Sequence, residues 1–379
     1  MHQGQLIAQY REYMNMTQED LARELGVHVR TVQKLESKPM VRSTTRRWFL
    51  VGLLSIPATQ LALTGVPPWS KKTSFSANDD TMSFFENELA THWQVYKTAG
   101  PKIAAQSLGT WMNQVTAFAT LARGTPWQYR ACLLLSMSYQ LQGSIARETK
   151  DAPHAITAYQ QAFTVAQEID NIEMMAASRL RQGWAYRDDP LEALEYFNHA
   201  LAIVQGSSLP RLRGNILQAC AETYAKINRP QECWRSIGLA EHIFGREEKG
   251  HERTHVTFTV GSATAYKGSY ALYLKDYERA AALLEKGLGL MAHDPSCSFY
   301  TRARFIVRKA KALSSLSRID ECVATAEEAW TIASYTGDKR ILEEVEDVYN
   351  TLLQSRWRKE ADVVRLGKQI VAYHGDTSM

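Results

Sequence analysis

From about residue 81 to the C-terminus, apolar side chains recur every three to four positions and never alternate over the length of a strand. That period predicts amphipathic helices, and the helices come in pairs. One helix closes near Gly, Asp, Asn or Pro. The next carries a small residue, then a large apolar one four positions on, then a second small one. These second helices read PHAITAYQQAFTVAQ, PLEALEYFNHALAIV, PQECWRSIGLAEHIF, DYERAAALLEKGLGLM and RIDECVATAEEAWTIA. Aligned on the last small residue (Ala162, Ala200, Ala240, Gly287, Ala329), they step by 38, 40, 47 and 42 residues. Self-similarity at that spacing, carried by helix pairs, predicts an all-α chain built as a solenoid over residues 81–379.

The small residues have a packing reason. Ala155, Ala193, Ala280 and Cys322, then Ala162, Ala200 and Ala329, are expected where neighbouring helices cross closely, with Tyr159, Phe197 and Leu284 filling the gaps between them. Gly143, Ala221, Gly268 and Ala310 each stand twelve residues before the first small residue of the following helix. This offset resembles the tetratricopeptide repeat, over about residues 125 to 336, with a longer period and a shortened turn at Pro190. Two less regular helices (81–99 and 102–122) precede the repeats, and two more (about 339–357 and 360–373) are expected to cap them.

The N-terminus has a different pattern. Leu6, Ile7, Tyr10 and Tyr13 make a first amphipathic helix. Thr17, followed by Gln18, Glu19 and Asp20, is a helix start: a hydroxyl cap with acids in the first turn. Leu21, Ala22 and Leu25 form its apolar face, and Gly26 ends it. A further helix over about 28–37 turns Val29, Val32 and Leu35 inward and His28, Arg30, Thr31, Gln33 and Lys34 outward. Helix, glycine-containing turn, and helix with a polar, basic outer face is the helix-turn-helix arrangement.

Charge supports a separate N-terminal module. Residues 1–72 hold ten Lys and Arg against five Asp and Glu, while the rest of the chain is nearly balanced, for a net +4 overall. The positive excess sits where a polyanion-binding unit needs it.

From Thr17 to Glu36 the positions Gln18, Leu21, Ala22, Leu25, Gly26, Val27, Thr31, Val32 and Glu36 closely resemble the Cro/lambda-repressor-like (XRE) helix-turn-helix family. The resemblance implies that Gln18 contacts a DNA phosphate and that His28, Arg30, Thr31, Gln33 and Lys34 face the major groove. Arg30 or Lys34 would then read guanine and Gln33 adenine. The family domain continues with two further helices. Here the pattern stops at Ser37, and Lys38-Pro39 breaks the helix. A unit spanning only residues 1–40 is marginal alone, so it requires a dimer partner or packing against the rest of the chain.

Residues 41–80 connect the two parts. Within them, 48–66 (WFLVGLLSIPATQLALTGV) carry no charge and follow Arg42, Arg46 and Arg47. Three readings stand open. One is a cleaved export signal, since Thr45-Arg46-Arg47-Trp48-Phe49-Leu50 resembles a twin-arginine motif. The second is a single membrane span with the N-terminus inside. The third is a packed connecting helix. Residues 67–80, rich in Ser, Lys and Pro, read as a linker.

A helix-turn-helix joined to long tetratricopeptide-like repeats resembles the bacterial regulators that sense short peptides. The resemblance implies a cytoplasmic regulator in which first helices line a concave face that grips an extended peptide or protein partner, and a homodimer is expected because one small helix-turn-helix makes too few DNA contacts for useful specificity. Arg179, Gln182, Asn215, Gln218, Glu222, Arg304 and Arg308 are the candidates for that grip. A repeat scaffold without a DNA role and a membrane-tethered sensor are the rival readings.

Catalysis is not expected. The chain has no glycine-rich phosphate loop, no HExxH and no GxSxG, and no cofactor is implied. Cys132, Cys220, Cys233, Cys297 and Cys322 are odd in number and unclustered, as expected of reduced, buried helix residues. His251 and His255 are four apart, but in a charged, glycine-flanked stretch that reads as a solvated loop.

Overall fold

A computed structural model describes residues 17–24, 29–30, 32–33, 77–186, 188–244, 259–292 and 299–377. Its regular elements among these residues are fifteen α-helices. The first, α1 (Gln18–Glu24), belongs to the N-terminal segment. The array then runs α2 (Asp79–Ala99), α3 (Pro101–Leu121), α4 (Gln128–Glu148), α5 (Ala152–Glu168), α6 (Ile172–Ala185), α7 (Pro190–Ile203) and α8 (Pro210–Lys226). It continues with α9 (Pro230–Phe244), α10 (Val260–Tyr273), α11 (Tyr277–Ala292), α12 (Phe299–Ser315), α13 (Ile319–Thr336), α14 (Lys339–Leu353) and α15 (Ala361–Thr377). The segment 48–66, the pair His251 and His255, and Cys297 lie outside the described residues. Among those described, no helix is long and apolar enough to cross a membrane.

The helix starts follow from capping side chains. Asn78 Oδ1 accepts from Thr81 N at 2.8 Å, so α2 begins inside the stretch read as linker. Asn171 and Asp189 cap α6 and α7 the same way, accepting from Met174 N at 2.9 Å and Glu192 N at 3.1 Å. Thr259 and Ser262 form a reciprocal box at the start of α10.

The helix ends also share one geometry. Lys150, Asn228, Lys275 and Ser317 adopt left-handed backbone, with φ of 65°, 56°, 63° and 58°, each just before the second helix of its pair. In each case the next amide reaches back to a carbonyl five residues earlier: Asp151 N to Ala146 O, Arg229 N to Tyr224 O, Asp276 N to Ala271 O and Arg318 N to Leu313 O, all between 2.8 and 3.0 Å. This bond closes the orphan carbonyls of a helix end. The same turn therefore recurs in four of the pairs, whatever residue occupies it.

The small residues lie where the pattern requires. Ala155, Ala162, Ala200, Ala280, Cys322 and Ala329 are fully buried. A Cβ on Gly143 would come within 2.5 Å of the Tyr159 ring, so the absence of a side chain there lets α4 and α5 touch. Ala310 and Cys322 meet through a Cys322 Sγ contact to the Ala310 carbonyl at 3.3 Å.

The array also curls until its ends meet. Helix α2 packs on α12, and α3 on α13. A Cβ at Gly100 would lie 2.6 Å from Thr336 Cβ, and Lys102 lies against Gly337. Lys150 at the end of α4 pairs with Glu343 of α14. Closure of this kind turns the first helices α4, α6, α8, α10, α12 and α14 toward a shared interior; they supply most of its lining, and α7 with the turn before it supplies the rest.

Candidate DNA-reading helix and charged interior

The N-terminal site is described in part. Thr17 Oγ1 accepts from Asp20 N at 3.1 Å while Asp20 Oδ2 accepts from Thr17 N at 3.0 Å, a reciprocal cap that starts α1. Ala22 is 4% exposed and Val32 fully buried. Helical backbone at Val29, Arg30, Val32 and Gln33 carries Arg30 and Gln33 on its exposed side, and Gln18 is half-buried at the α1 start. His28, Thr31 and Lys34 lie outside the described residues.

The interior of the array is a cavity of about 310 Å³. Four of the seven groove candidates line it: Gln218 and Glu222 from α8, and Arg304 and Arg308 from α12. Arg179, Gln182 and Asn215 do not. Arg179 lies 3.7 Å over the Phe163 ring and donates to Gln160 Oε1 at 3.0 Å and Gln182 Oε1 at 2.7 Å. Asn215 Nδ2 donates to the Arg211 carbonyl at 2.8 Å, within its own helix.

The chemistry centres on Glu148, at the last position of α4 and wholly buried. Arg147 Nη2 is 2.6 Å from its Oε1, Arg304 Nη2 3.3 Å from the same oxygen, and Arg340 Nη2 2.8 Å from Oε2. Burial alone would push this carboxyl up, but Arg340, Arg147 and Arg304 outweigh it and hold the group far below the usual carboxylate range. Nearby Asp338 is the opposite case. Burial and the Glu148 charge push it up to about 6, against the pull of Arg340 and Arg304. Asp338 also caps α14 through Oδ1, which accepts from Arg340 N at 3.0 Å and Ile341 N at 3.2 Å.

A second cluster adjoins the first. Arg308 Nη2 donates to Glu222 Oε1 at 2.9 Å, with Lys226 Nζ at 3.5 Å. Burial raises the Glu222 carboxyl and the facing Arg308, Lys226, Arg304 and Arg340 charges lower it, to about 2. Lys311 pairs with Glu344 at 3.1 Å. Behind them, Arg181 is 5% exposed, donates to Gln140 and Ser144, and lies 5.2 Å over the Trp93 ring.

Arg147, Glu148, Lys226, Lys311, Asp338, Arg340 and Glu344 were not among the groove candidates. No local signal marks them, because a charged residue at a helix end or on a polar helix face is ordinarily solvated. Among the described residues, Cys132, Cys220, Cys233 and Cys322 are buried and form no disulfide, and burial pushes the thiols of the last three up to about 12.

Compared with known proteins, the chain matches a helix-turn-helix family model over residues 7–45. No curated protein matches it. The matched segment spans the reciprocal cap, buried Ala22 and Val32, and exposed Arg30 and Gln33, and it supports a DNA-binding regulator.

Proposed function

We propose that the protein is a transcriptional regulator of the XRE type that reads DNA with residues 17–36 and binds a peptide or protein partner on the inner face of its helical array. The observation that carries the reading is the helix-turn-helix match over 7–45, together with a helix that buries Val32 and exposes Arg30 and Gln33. Gln18 is assigned to a phosphate, and His28, Arg30, Thr31, Gln33 and Lys34 to the major groove. One small helix-turn-helix makes too few contacts for useful specificity, so the active species is a dimer on two half-sites. Partner binding then acts by favouring one spacing of the two reading helices. On this reading the protein acts in the cytoplasm, and both ends of the intact chain should remain in the soluble fraction of a lysate.

The test is selection of DNA sites from a random library by the full chain, followed by gel shifts over a salt series. Sequence-selective binding that falls steeply with salt is expected. Arg30→Ala should cost about 1–3 kcal/mol, and relax preference at one base position. Equal binding to all sequences would sink the reading.

A further inference from the structure

Two features of the interior do not belong to its ion pairs. Arg308 is 6% exposed and lies 5.5 and 5.9 Å over the Tyr273 and Phe305 rings, yet only its Nη2 makes a hydrogen bond, to Glu222. Its Nε and Nη1 are buried with no hydrogen-bond partner, as are Nε of Arg147 and of Arg340 and the Oε1 of Gln218. A guanidinium buried with unmet donors is costly, because those donors have lost water without gaining another hydrogen-bond acceptor. Charge is also out of balance. Six basic side chains line the cavity (Arg147, Lys226, Arg304, Arg308, Lys311 and Arg340) against the acids Asp188, Glu222 and Glu344. Glu148 and Asp338, buried beside them, bring the acids to five and leave an excess of one positive charge. Folding such an excess into one cavity is unfavourable unless something negative enters it.

We propose that this cavity is an oxyanion-binding site, in which the free donors of Arg308, with Arg147 and Arg340 behind them, grip one carboxylate or phosphate group, and Gln218 accepts from a neighbouring hydroxyl or N–H of the same ligand. Arginine suits the task, since its planar fork meets two oxygens at once. A space of about 310 Å³ admits a small ligand or the end of a longer one, and not a folded domain. The carboxylate source is the terminus of a short peptide; the phosphate source is a small phosphorylated molecule. The assignment rests on the inner face being a ligand face and is independent of DNA reading, so either can fail without the other.

The experiment is calorimetric titration of the full chain at constant ionic strength in chloride. The probes are inorganic phosphate, N-acetylalanine and N-acetylalanine amide. Saturable one-to-one binding with Kd below about 1 mM is expected for phosphate or for N-acetylalanine. Phosphate alone identifies a phosphoryl site, and N-acetylalanine without its amide a carboxylate site. Arg308→Gln should weaken binding at least tenfold, while Lys309→Gln, whose partner is Glu285 outside the cavity, leaves it unchanged. If Arg308→Gln does not fold, Arg308→Lys carries the test: it keeps the charge, loses the fork, and should weaken binding at least threefold. No saturable binding of any probe to the folded wild-type chain would mean that water alone fills the space, and would overturn the proposal. So would an Arg308→Lys chain that binds like wild type.

Discussion

Replacing Glu148 with Gln is the sharpest perturbation of this architecture. The change keeps the shape of the side chain and removes one negative charge from a site with no solvent exposure. Three guanidinium groups, with nitrogens at 2.6, 2.8 and 3.3 Å, are left facing a neutral amide and one another. Breaking a buried ion pair from one side typically costs about 3–5 kcal/mol, because the remaining charge is neither solvated nor compensated. At roughly 2–4 °C per kcal/mol for a domain of this order, Tm should fall by about 6–20 °C. Two of the arginines sit on α12 and α14, so the loss falls on the contact that closes the array rather than on any one helix pair. The assay is urea unfolding followed by far-UV circular dichroism and by tryptophan fluorescence. Trp184, whose ring lies 5.3 Å beneath Arg147, is placed to report on the interior. The control is Glu343→Gln. Its partner Lys150 also bridges the closure, but both side chains are nearly half exposed, so the cost should stay under about 1 kcal/mol. Equal stability of Glu148→Gln and wild type, or equal costs for the two substitutions, would refute the claim that burial is what makes the Glu148 cluster matter.

Other consequences can be checked alongside. Stability should depend on pH in two opposed ways. Glu222, held to about 2 in the fold, contributes stability that is full above its ordinary range and lost as pH falls from about 4.5 toward 2. Asp338, raised to about 6, contributes in the other sense, being most favourable below about 3.8 and lost as pH rises through 6. Asp338→Asn retains an oxygen to cap α14 and should raise stability at pH 7 by about 1–3 kcal/mol, seen as a flatter profile between pH 4 and 6; an unchanged profile would contradict the assignment. In Gly287→Ala the new methyl would lie 2.6 Å from the Ala265 backbone nitrogen, which has no room to yield, so α10 and α11 must separate at a cost of about 1–3 kcal/mol by chemical denaturation. Phe197→Ala empties the fully packed contact between α6 and α7 and should cost about 3–5 kcal/mol in the same measurement.

Much of this protein was legible residue by residue. Thr17 announces a helix start because a short polar side chain can close orphan amides locally; Asn78, Asn171 and Asp189 obey the same rule in the fold, although Asn78 stands in a stretch that reads as linker. At α1 that expectation holds, with Thr17 and Asp20 capping each other. The spacing from Ala155 to Ala162, or from Ala310 to Cys322, predicts which helices touch, because adjacent helices must interlock small against large within one pair. Each of these is a rule about neighbours, and the chain displays neighbours in order. The interior could not be read that way. Nothing near Glu148 tells that Arg340 will meet it, nor near Glu222 that Arg308 will. Arg304 and Arg308 look from sequence like a solvated face ready for a partner, and in the fold they are already held by carboxylates of α4 and α8. That outcome depends on the small rotation added at every helix pair, summed along the array until α2 reaches α12 and α3 reaches α13. A sum of many small angles is a property of the whole, so the helices and their partners were written locally, while the charged cavity exists only because the array closes.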